Sequence, residues 1–412
     1  MTQIKVTPPA TLRTTIKLPS SKSISNRVLV INALSGSVEV PQNLSDCDDT
    51  RVMVKALTED TPVVDIMAAG TAMRFLTAYY AATLGSKKTL TGTERMQQRP
   101  IRILVDALRH LGARVEYVKN EGYPPLLVCG QSLEVSEVSL QGNVSSQYIS
   151  ALLMIAPVMK QGLHLKLEGT VISRPYIDLT LQLMTDFGAK VRWVGENDIV
   201  VESYPYVPRA FTVESDWSAA SYWYEMLALI PDEEATVVLP GLYAHSYQGD
   251  SAVAELFRQL GVATEYDAEA DRVTLRKQGT PISRMDYDFV NQPDLAQTFV
   301  VTCSMLGIPF RFIGLQSLKI KETDRIAALI RELKKLGILL HEEEGGVLGW
   351  EGDRCEPEKG VTIDTYEDHR MAMAFAPVCI VSGGLRINHP EVVSKSYPHY
   401  WDDLVRAGFV IG

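Results

Sequence analysis

The sequence predicts an α/β protein built from repeated units that form two similar lobes. Three observations support this prediction: an amphipathic helix, a glycine and an alternating strand recur along the chain; nearly all-apolar helices lie between these copies; and two breaks separate parts of comparable length. The 412 residues are too many for one ordinary core, which also favours more than one domain.

The first kind of helix is recognised by the glycine that follows it. An amphipathic helix, this glycine and the start of an alternating strand occur in segments 106–118, 181–194, 254–267 and 330–343. The glycines are Gly112, Gly188, Gly261 and Gly337, with Gly408 in a fifth copy, at intervals of 71–76 residues. We expect each of them to adopt the positive φ that ends a helix.

The second kind of helix is apolar on nearly every face, so we expect it to be buried. Six segments have this character: 23–36, 70–85, 145–162, 215–231, 293–307 and 368–384. Together the two kinds of helix define a unit of about 70 residues with the order strand–helix–strand–helix–hairpin. Six such units would fill the chain, with three in each lobe.

Two breaks in the pattern predict the boundaries of the lobes. They lie near residues 17–21 and 209–216. One lobe would then contain residues 1–19 plus 214–412, and residues 20–213 would form an inserted lobe. A solenoid is the alternative arrangement, but a solenoid needs polar end caps, which neither end of the sequence offers.

The composition excludes several classes of protein. The net charge of −10 argues against a nucleic-acid partner, and the longest apolar run, residues 371–381, is too short to span a bilayer. The first residues lack the apolar core of a signal peptide. Five cysteines without a C-x-x-C pair indicate a reducing compartment and no structural zinc. We therefore expect a cytoplasmic protein with no membrane partner and no structural zinc, and we also expect a monomer.

Polar and charged residues are concentrated where the apolar helices begin. The clusters are Lys22, Ser23 and Arg27; Gly70, Thr71 and Arg74; Ser145, Ser146 and Gln147; Ser215 and Asp216; Asp294; and His369 and Arg370. A Ser or Asp at such a position is usually only a helix cap, whereas an Arg or Lys opposes the helix dipole. Four cations break that rule, Lys22, Arg27, Arg74 and Arg370, and exceptions of this kind are typical of functional sites.

More charged residues lie near other helix starts, namely Arg99, Lys321, Glu322, Arg325 and Lys395. Taken alone, Arg99 or Arg325 is about as often a member of a surface ion pair as a ligand-binding residue. As a set, the cations are expected to lack acidic partners, so they would repel one another unless anions occupied the site. The sequence therefore predicts a site for small ligands that carry several negative charges. The acidic run 46–50 is interpreted as a helix start and not as a metal cluster.

Nine motifs, taken in order, resemble the 5-enolpyruvylshikimate-3-phosphate (EPSP) synthase family. They are SKSISNR, AGTAMR, QRPI, SSQY, SRPYIDLT, PDLA, KETDR, DHRMAMAF and SKSYP, and they extend from residue 21 to residue 398. KETDR and DHRMAM are specific, whereas SSQ alone would mean little. The resemblance implies two lobes, each of three βαβαββ units with buried helices and outer sheets (an inside-out α/β barrel), and an active site in the cleft between the lobes.

The resemblance also implies a reaction. The family transfers the enolpyruvyl group of phosphoenolpyruvate to the 5-hydroxyl of shikimate-3-phosphate through a tetrahedral intermediate and releases phosphate, as part of aromatic amino-acid and chorismate biosynthesis. Because a C–O bond breaks, no nucleotide, metal or cofactor is required. The sequence has neither a P-loop motif nor a G-x-G-x-x-G motif, which agrees with this chemistry.

The family's site residues are carried over to the matching positions. Phosphoenolpyruvate is expected to bind Lys22, Gly70, Thr71, Arg99, Gln147, Arg325, Arg370 and Lys395. Shikimate-3-phosphate is expected to bind Ser23, Arg27, Ser145, Ser146, Gln147, Ser173, Tyr176, Asp294, Ser317 and Lys321. Asp294 is expected to take the hydroxyl proton and Glu322 to protonate the methylene carbon, while Lys22 assists the departure of phosphate. The sequence leaves open which carboxylate acts first.

Three positions depart from the usual family pattern. Ala68 and Ser317 stand where Asn is common and Phe75 where Pro is common, and these changes bear on substrate affinity and on the response to glyphosate, the family's inhibitor. The related UDP-N-acetylglucosamine enolpyruvyl transferases are an alternative, but they usually carry a Cys in a Gly-rich loop and lack SKSxSNR. A non-catalytic anion-binding relative would be expected to lose Asp294 and Glu322, and an RNA-end-processing relative would be expected to be basic.

Overall fold

The computed structural model describes residues 2–412, and their contacts divide the chain into two compact units. The discontinuous unit contains the chain up to Pro19 together with Glu214–Gly412. The inserted unit contains Ser20–Val213. Both units are mixtures of helices and short strands, which confirms the predicted α/β class.

The strands are two to six residues long. In chain order they are β1 (Gln3–Thr7), β2 (Arg13–Thr15), β3 (Val63–Asp65), β4 (Lys87–Thr91), β5 (Arg114–Tyr117), β6 (Leu126–Cys129), β7 (Glu137–Gln141), β8 (Leu163–Glu168), β9 (Val191–Trp193), β10 (Asp198–Val201), β11 (Thr236–Pro240), β12 (Val262–Asp267), β13 (Arg272–Lys277), β14 (Met285–Asp288), β15 (Phe310–Ile313), β16 (His341–Glu343), β17 (Val347–Trp350), β18 (Thr362–Ile363), β19 (Leu385–Asn388) and β20 (Val410–Ile411).

The helices differ more in length than the strands. In chain order they are α1 (Lys22–Leu34), α2 (Asp48–Thr58), α3 (Gly70–Ala82), α4 (Glu94–Gln97), α5 (Arg102–His110), α6 (Ser146–Ile155), α7 (Arg174–Asp186), α8 (Trp217–Leu229), α9 (Val253–Arg258), α10 (Ala296–Leu306), α11 (Arg325–Lys335), α12 (His369–Phe375), α13 (Cys379–Ser382) and α14 (Tyr400–Arg406). Short 3₁₀ helices occupy Ala156–Val158, Gly249–Ala252, Gln316–Ile320, Ala376–Val378 and Pro390–Lys395. None of the helices found between residues 2 and 412 has the length and apolar character needed to cross a bilayer.

Five four-stranded sheets share one topology. The inserted unit contains β3–β4–β6–β5 and β7–β8–β10–β9, and the discontinuous unit contains β2–β11–β13–β12, β14–β15–β17–β16 and β18–β19–β1–β20. In every sheet the first two strands are parallel and the next two pairs are antiparallel. The shared order is the structural form of the sequence repeat, because a parallel pair needs a crossover connection, whereas the last two strands of four of the sheets are consecutive and form hairpins.

Strand pairing attaches the first residues of the chain to its last part. β1 pairs with β19 and β20, and β2 pairs with β11. The backbone N–H of Asp216 also donates to the carbonyl of Pro19 at 2.9 Å. The chain therefore leaves the discontinuous unit after Pro19 and re-enters it close to the same place.

The glycines of the repeat all adopt positive φ, as the sequence predicts. The φ values are 103° at Gly112, 83° at Gly188 and Gly261, 85° at Gly337 and 94° at Gly408. Glycine reaches this left-handed region without the steric cost that a Cβ would add, so the helix can end and the next strand can begin within a few residues.

The apolar helices are buried, as expected. In α8 every residue except Ser218 is buried, and in α12 all seven residues are buried. Trp217 and Trp223 are completely inaccessible to solvent. Side chains of this size each contribute about 1.5–3 kcal/mol on burial, so these helices form the centre of the core. The amphipathic helices, such as α5, bury one face and expose the other.

The unit that begins with α1 does not form a sixth sheet. Its second helix, α2, ends at Thr58 and β3 starts at Val63, which leaves no room for a hairpin between them. Residues 35–47 contribute one isolated parallel bridge, from Gln42 to Thr212. No glycine ends α2, since Glu59 adopts an extended conformation there. The expectation of six complete units therefore holds for five, and this unit is reduced to its two helices.

Candidate active site

In the inserted unit, Lys22 occupies the first position of α1. Ser21 caps this helix by accepting a hydrogen bond from the backbone N–H of Ile24 at 3.4 Å. The Lys22 Nζ atom lies 3.8 Å from Oδ2 of Asp49, whose side chain is 4% exposed. α2 begins at Asp48, as the acidic run predicts, but no pattern in the sequence predicts the pairing of Asp49 with Lys22.

Arg27 is a buried cation whose hydrogen bonds all go to neutral groups. Its guanidinium donates to Thr180 Oγ1 at 2.7 Å, to the Ser23 carbonyl at 2.9 Å, to Ser150 Oγ at 3.2 Å and to the Tyr176 carbonyl at 3.3 Å. Within residues 2–412 no carboxylate pairs with it. Burial lowers the pKa of Arg27 to about 10, which records the cost of holding this charge away from water. Such a charge favours a bound anion.

The glycine at the start of α3 makes room for Arg99. Nη1 of Arg99 lies 2.6 Å from the place where a Cβ atom on Gly70 would be, so only glycine fits without moving the guanidinium. Arg99 is half-buried, and within the part of the chain that the structure describes its side chain has no hydrogen-bond or ion-pair partner. Its five N–H donors are therefore available to an anionic ligand.

One side-chain hydrogen bond joins the starts of α3 and α6, and further contacts fix the backbone beside them. Gln147 Nε2 donates to Thr71 Oγ1 at 3.2 Å, and Ser145 caps α6 by accepting from the backbone N–H of Gln147 at 3.4 Å. Arg74 donates to the carbonyls of Gly70 and Pro100, both at 3.1 Å. Arg74 thus fixes the backbone at Gly70, which lies against the Arg99 side chain, and at Pro100, which follows Arg99.

The start of α7 has an unusual backbone. Ser173 precedes the helix with φ of 55°, is 7% exposed and makes no side-chain cap bond. A residue other than glycine in the left-handed region costs about 1–3 kcal/mol and is typical of functional sites. Tyr176, in the first turn of α7, is half-buried and accepts from Arg27 through its backbone carbonyl.

The candidate residues of the inserted unit are therefore brought together by contacts between helix starts. Arg27 connects α1 to α7 through Tyr176, and its guanidinium carbon lies 5.3 Å from the ring centre of Phe75 in α3. Gln147 connects α6 to α3. Contacts within the first two turns of four helices thus connect these residues in the inserted unit.

In the discontinuous unit, Asp294 lies among three cations. Arg370 Nη2 donates to its Oδ2 at 2.7 Å, and its Oδ1 is 3.5 Å from Arg325 Nη1 and 3.6 Å from Lys321 Nζ. Asp294 is 21% exposed, so this carboxylate can still be reached by a substrate. Arg370 also donates to the Tyr222 hydroxyl at 3.3 Å.

Glu322 has an ion pair on each of its oxygens. Oε2 accepts from Arg325 Nη2 at 3.0 Å, and Oε1 lies 2.8 Å from Lys395 Nζ. Both neighbours favour the ionised carboxylate. Because Arg325 contacts Glu322 and Asp294, the two carboxylates expected to transfer protons share one guanidinium.

Arg325 is held from the other side by Asp368. Its Nε donates to Asp368 Oδ2 at 2.7 Å and its Nη2 donates to Oδ1 at 3.3 Å, with both side chains at most 2% exposed. Burial would lower the pKa of Arg325, but the charges of Asp368, Glu322 and Asp294 outweigh it and raise the pKa. Asp368 also caps α12 by accepting from the backbone N–H of Arg370 at 2.9 Å.

These ion pairs correct the expectation that the cations lack acidic partners. In the discontinuous unit four cations are close to three carboxylates: Lys321, Arg325, Arg370 and Lys395 with Asp294, Glu322 and Asp368. The expectation failed mainly because other partners are distant in sequence, 43 residues apart for Arg325 and Asp368 and 76 for Arg370 and Asp294, although Glu322 is only three residues from Arg325. Four positive and three negative charges leave a net charge of +1, which still favours anions.

A sequence model of the family described as EPSP synthase (3-phosphoshikimate 1-carboxyvinyltransferase) matches residues 6–60 and 57–404. The chain belongs to the EPSP synthase family. The resemblance that the nine motifs indicate is therefore confirmed. The two matched segments meet at residues 57–60, where α2 ends and the sixth sheet is absent.

Relatives named 3-phosphoshikimate 1-carboxyvinyltransferase match nearly the whole chain. One from Bacteroides fragilis is 62% identical over 403 residues, which cover 98% of this chain and 97% of the relative. Another, from Shewanella pealeana, is 36% identical over 439 residues, covering 98% of this chain and 99% of the relative. The similarity to EPSP synthases thus extends through both units.

The fold is similar to that of solved EPSP synthases. A structure of EPSP synthase from Acinetobacter baumannii superposes with a TM-score of 0.80, covers 100% of this chain and 99% of its own, and is 20% identical. At 20% identity this similarity concerns the fold only. The similar fold agrees with the repeated sheets and buried helices described above.

Within each unit the structure gathers most of the residues that the EPSP synthase motifs assign. Ser317 is an exception: it lies in the 3₁₀ helix that precedes Lys321, and the described residues give it no side-chain hydrogen bond. The sequence motifs assign no role to Asp49 or Asp368. Asp368 had a detectable signal, since an acid directly before the helical HR pair is typical of an N-cap. No sequence signal marked Asp49 as a partner of Lys22, because the two residues lie in different helices and meet only where those helices pack.

Proposed function

We propose that the protein transfers the enolpyruvyl group of phosphoenolpyruvate to the 5-hydroxyl of shikimate-3-phosphate and releases phosphate. It acts in aromatic amino-acid biosynthesis as a 3-phosphoshikimate 1-carboxyvinyltransferase. The observation that carries the proposal is the pairing of Asp294 and Glu322 with the same guanidinium, Arg325, at 3.5 and 3.0 Å. Two carboxylates held by one cation suit a reaction that moves one proton off a hydroxyl and another onto a carbon.

Phosphoenolpyruvate has a phosphate and a carboxylate, and the proposed ligands match both groups. They are Lys22, Gly70, Thr71, Arg99 and Gln147 of the inserted unit, and Arg325, Arg370 and Lys395 of the discontinuous unit. Arginine binds such groups through two parallel hydrogen bonds. Arg99 supports this assignment most directly, since its side chain has donors that no described residue uses.

Shikimate-3-phosphate needs partners for a phosphate, a carboxylate and ring hydroxyls. The proposed partners are Ser23, Arg27, Ser145, Ser146, Gln147, Ser173 and Tyr176 of the inserted unit, and Asp294, Ser317 and Lys321 of the discontinuous unit. The buried charge of Arg27 supports an anionic ligand there, because its present hydrogen bonds go to neutral groups only. In this division the inserted unit supplies the serines that suit the phosphate oxygens, and the discontinuous unit supplies the groups that contact ring hydroxyls.

The reaction proceeds by addition and then elimination. Asp294 takes the proton of the 5-hydroxyl while the hydroxyl oxygen bonds to the central carbon of phosphoenolpyruvate and Glu322 gives a proton to the methylene carbon. The tetrahedral adduct then returns a proton from the new methyl group to Glu322 while the C–O bond to phosphate breaks, Asp294 gives its proton to the leaving phosphate, and Lys22 stabilises that phosphate. Atoms balance without a nucleotide, a metal or a redox partner.

Glu322 must gain a proton before it can give one. Arg325 and Lys395 contact its two oxygens, and their positive charges favour the ionised form. Phosphoenolpyruvate brings anionic groups that compete for both cations, and this competition weakens their hold on Glu322 and makes protonation easier. The binding of phosphoenolpyruvate and the protonation of Glu322 are thereby coupled.

The test is phosphate release in three reactions: phosphoenolpyruvate alone, with shikimate-3-phosphate, and with UDP-N-acetylglucosamine. Release that depends on shikimate-3-phosphate supports the proposal. Release that depends on UDP-N-acetylglucosamine would instead favour the related transferase, which the family match does not favour. Nuclear magnetic resonance of the product identifies the enol ether at the 5-position. We further propose a cytoplasmic monomer, to be checked by light scattering after gel filtration and by cell fractionation.

A further inference from the structure

A buried tyrosine contacts one of the proposed anion-binding cations. Tyr222 lies in the apolar helix α8 and is 1% exposed. Its hydroxyl oxygen accepts a hydrogen bond from Arg370 Nη1 at 3.3 Å. The family motifs do not include Tyr222, and the proposed reaction does not use it. A polar contact with a cation in the core suggests a role for Tyr222 beyond packing.

Packing fixes the position of the Tyr222 ring. The ring lies against that of Tyr400, with the ring centres 5.9 Å apart and the planes at 70°. The Tyr400 hydroxyl donates to the carbonyl of Met373 in α12 at 3.0 Å. Next to Tyr222 in sequence, the Ser221 hydroxyl shares a hydrogen bond of 3.1 Å with the hydroxyl of Thr298 in α10. The Tyr222 hydroxyl is therefore held in place relative to both α10 and α12.

Arg370 is held through two of its nitrogens. Nη2 donates to Asp294 Oδ2 at 2.7 Å, and Nη1 donates to the Tyr222 hydroxyl. Because the guanidinium is planar, these two contacts together determine the direction of the whole group. One of the two partners is a carboxylate and the other is a neutral hydroxyl.

The neutral partner matters because the surroundings of Arg370 are already rich in charge. The charged residues of this cluster are Asp294, Asp368, Glu322, Asp250, Arg325 and Lys321. A further carboxylate on Nη1 would cancel more of the charge with which Arg370 attracts anions. Tyr222 stays neutral near pH 7, because burial raises its pKa to about 12. The tyrosine thus orients the guanidinium without reducing its positive charge.

Without the hydroxyl, Asp294 would be the competing partner for Nη1. A carboxylate can accept two parallel hydrogen bonds from one arginine, and this paired arrangement is stronger than a single bond. Arg370 would then turn both Nη atoms towards Asp294, and its attraction for other anions would fall. The contact with Tyr222 opposes that rotation.

We propose that Tyr222 is a positioning residue for phosphoenolpyruvate: its hydroxyl holds Arg370 in the orientation that receives an anionic group of this substrate. The proposal rests on the proposed function, which assigns phosphoenolpyruvate to Arg370. Tyr222 acts through Arg370 and transfers no proton. It affects substrate affinity more than the chemical steps, since Asp294 keeps its contacts with Arg325 and Lys321.

The first experiment measures initial rates for Tyr222→Phe, which removes the hydroxyl and keeps the ring. The KM for phosphoenolpyruvate should rise about three- to tenfold, the usual contribution of one hydrogen bond. The kcat and the KM for shikimate-3-phosphate should change less than about twofold, because the lost interaction concerns the binding of one substrate. An unchanged KM for phosphoenolpyruvate, or a loss confined to kcat, overturns the proposal.

The matched control is Tyr224→Phe, two positions further along α8. Tyr224 is also completely buried, but its hydroxyl forms a hydrogen bond of 2.6 Å with Thr264 and not with Arg370. This variant should keep the KM for phosphoenolpyruvate. An equal rise of KM in Tyr224→Phe and Tyr222→Phe would identify a general effect of losing a hydroxyl from α8 and would overturn the proposal.

A second experiment tests whether the effect passes through Arg370. Arg370→Lys keeps a positive charge but lacks the planar group that Tyr222 orients. Adding Tyr222→Phe to this variant should raise the KM for phosphoenolpyruvate by less than about twofold, since the two residues act as one unit. A rise as large as in the unaltered background would mean that Tyr222 acts independently of Arg370, which overturns the proposal.

A third experiment uses no substrate. Arginines are labelled with nitrogen-15, and the guanidinium signals lost in Arg370→Lys identify Arg370. Because both Nη atoms have partners, they should rotate slowly and give separate signals, and the Nη1 signal should shift in Tyr222→Phe. A single averaged signal in the unaltered protein overturns the proposal, even where Tyr222→Phe does not fold. If the protein releases no phosphate, the proposed function fails, yet these spectra still decide whether Tyr222 orients Arg370.

Discussion

Asp368 binds Arg325 through two hydrogen bonds, of 2.7 and 3.3 Å, although 43 residues separate them in sequence. Both groups are buried. Because a guanidinium is planar, fixing its Nε and Nη2 atoms on Asp368 also determines its other directions: Nη2 reaches Glu322 as well, and Nη1 points to Asp294. A residue that need not touch substrate thus sets the geometry of both proposed proton-transfer groups.

Removal of Asp368 is expected to destabilise the protein strongly. In Asp368→Ala, Arg325 is left in a buried place without its main partner, which costs about 3–5 kcal/mol of the free energy of unfolding. Urea titration followed by circular dichroism measures this loss. The control is Asp353→Ala, which breaks the exposed pair with His341 and should leave the unfolding midpoint unchanged. Similar midpoints for the two variants would mean that the buried pair contributes no net stability.

Asp294→Asn and Glu322→Gln should each lower kcat by about 10²–10⁴-fold, the usual contribution of a positioned acid or base. Both replacements preserve shape, so the circular dichroism spectrum should not change. Glu343→Gln removes a carboxylate from an exposed pair with Arg311 and serves as the control with normal kcat. Near-normal turnover in Asp294→Asn or Glu322→Gln would refute the role of that residue.

The contact between Gly70 and Arg99 predicts a specific effect on phosphoenolpyruvate. A Cβ atom in Gly70→Ala would lie 2.6 Å from Arg99 Nη1, so the guanidinium has to move. The KM for phosphoenolpyruvate should rise by about tenfold to a hundredfold, equivalent to one or two charge-assisted hydrogen bonds. Initial-rate kinetics measure this change. In an Arg99→Ala background the same glycine replacement should have little further effect, and fully additive losses would contradict the explanation.

The buried carboxyl of Glu225 predicts a dependence of stability on pH. Burial raises its pKa well above the ordinary 4.5, so the folded protein keeps a proton that the unfolded chain releases above about pH 4.5. The unfolded state then binds fewer protons, and stability falls as the pH rises from there towards the folded pKa.

Glu225→Gln should remove this loss. The variant should gain more stability at pH 8 than at pH 5, with the difference growing by at most about 1.4 kcal/mol per pH unit. Urea unfolding at both pH values measures the difference. Asp402→Asn, at an exposed site, is the control that should show no such trend. Equal effects of Glu225→Gln at the two pH values would show that Glu225 does not titrate on unfolding.

The repeat and its local consequences could be predicted from the sequence. Gly112 and Gly408 illustrate this: each ends a helix with positive φ, as the pattern of apolar residues followed by glycine indicates. The burial of α8 and α12 follows in the same way from their apolar composition. The family motifs added the proposed roles of residues such as Lys22 and Glu322, which remain predictions until the variants are measured.

Other features required the coordinates. The sequence suggested a sixth sheet, but the connection from α2 to β3 is too short for a hairpin. The segment before α2 contributes only the isolated bridge between Gln42 and Thr212. It also suggested unpaired cations, whereas Arg325 and Arg370 have carboxylate partners.

The sequence by itself therefore determined the α/β class, the positions of the repeated helices and of the glycines that end them, and the charged residues of the family motifs. These depend on periodicity and on backbone preferences that act over a few residues. The tertiary structure alone decided which carboxylate meets which cation, and hence which charges are compensated. Such pairs form where helices pack, between residues as far apart as Asp294 and Arg370, and their strength depends on burial that no short segment encodes.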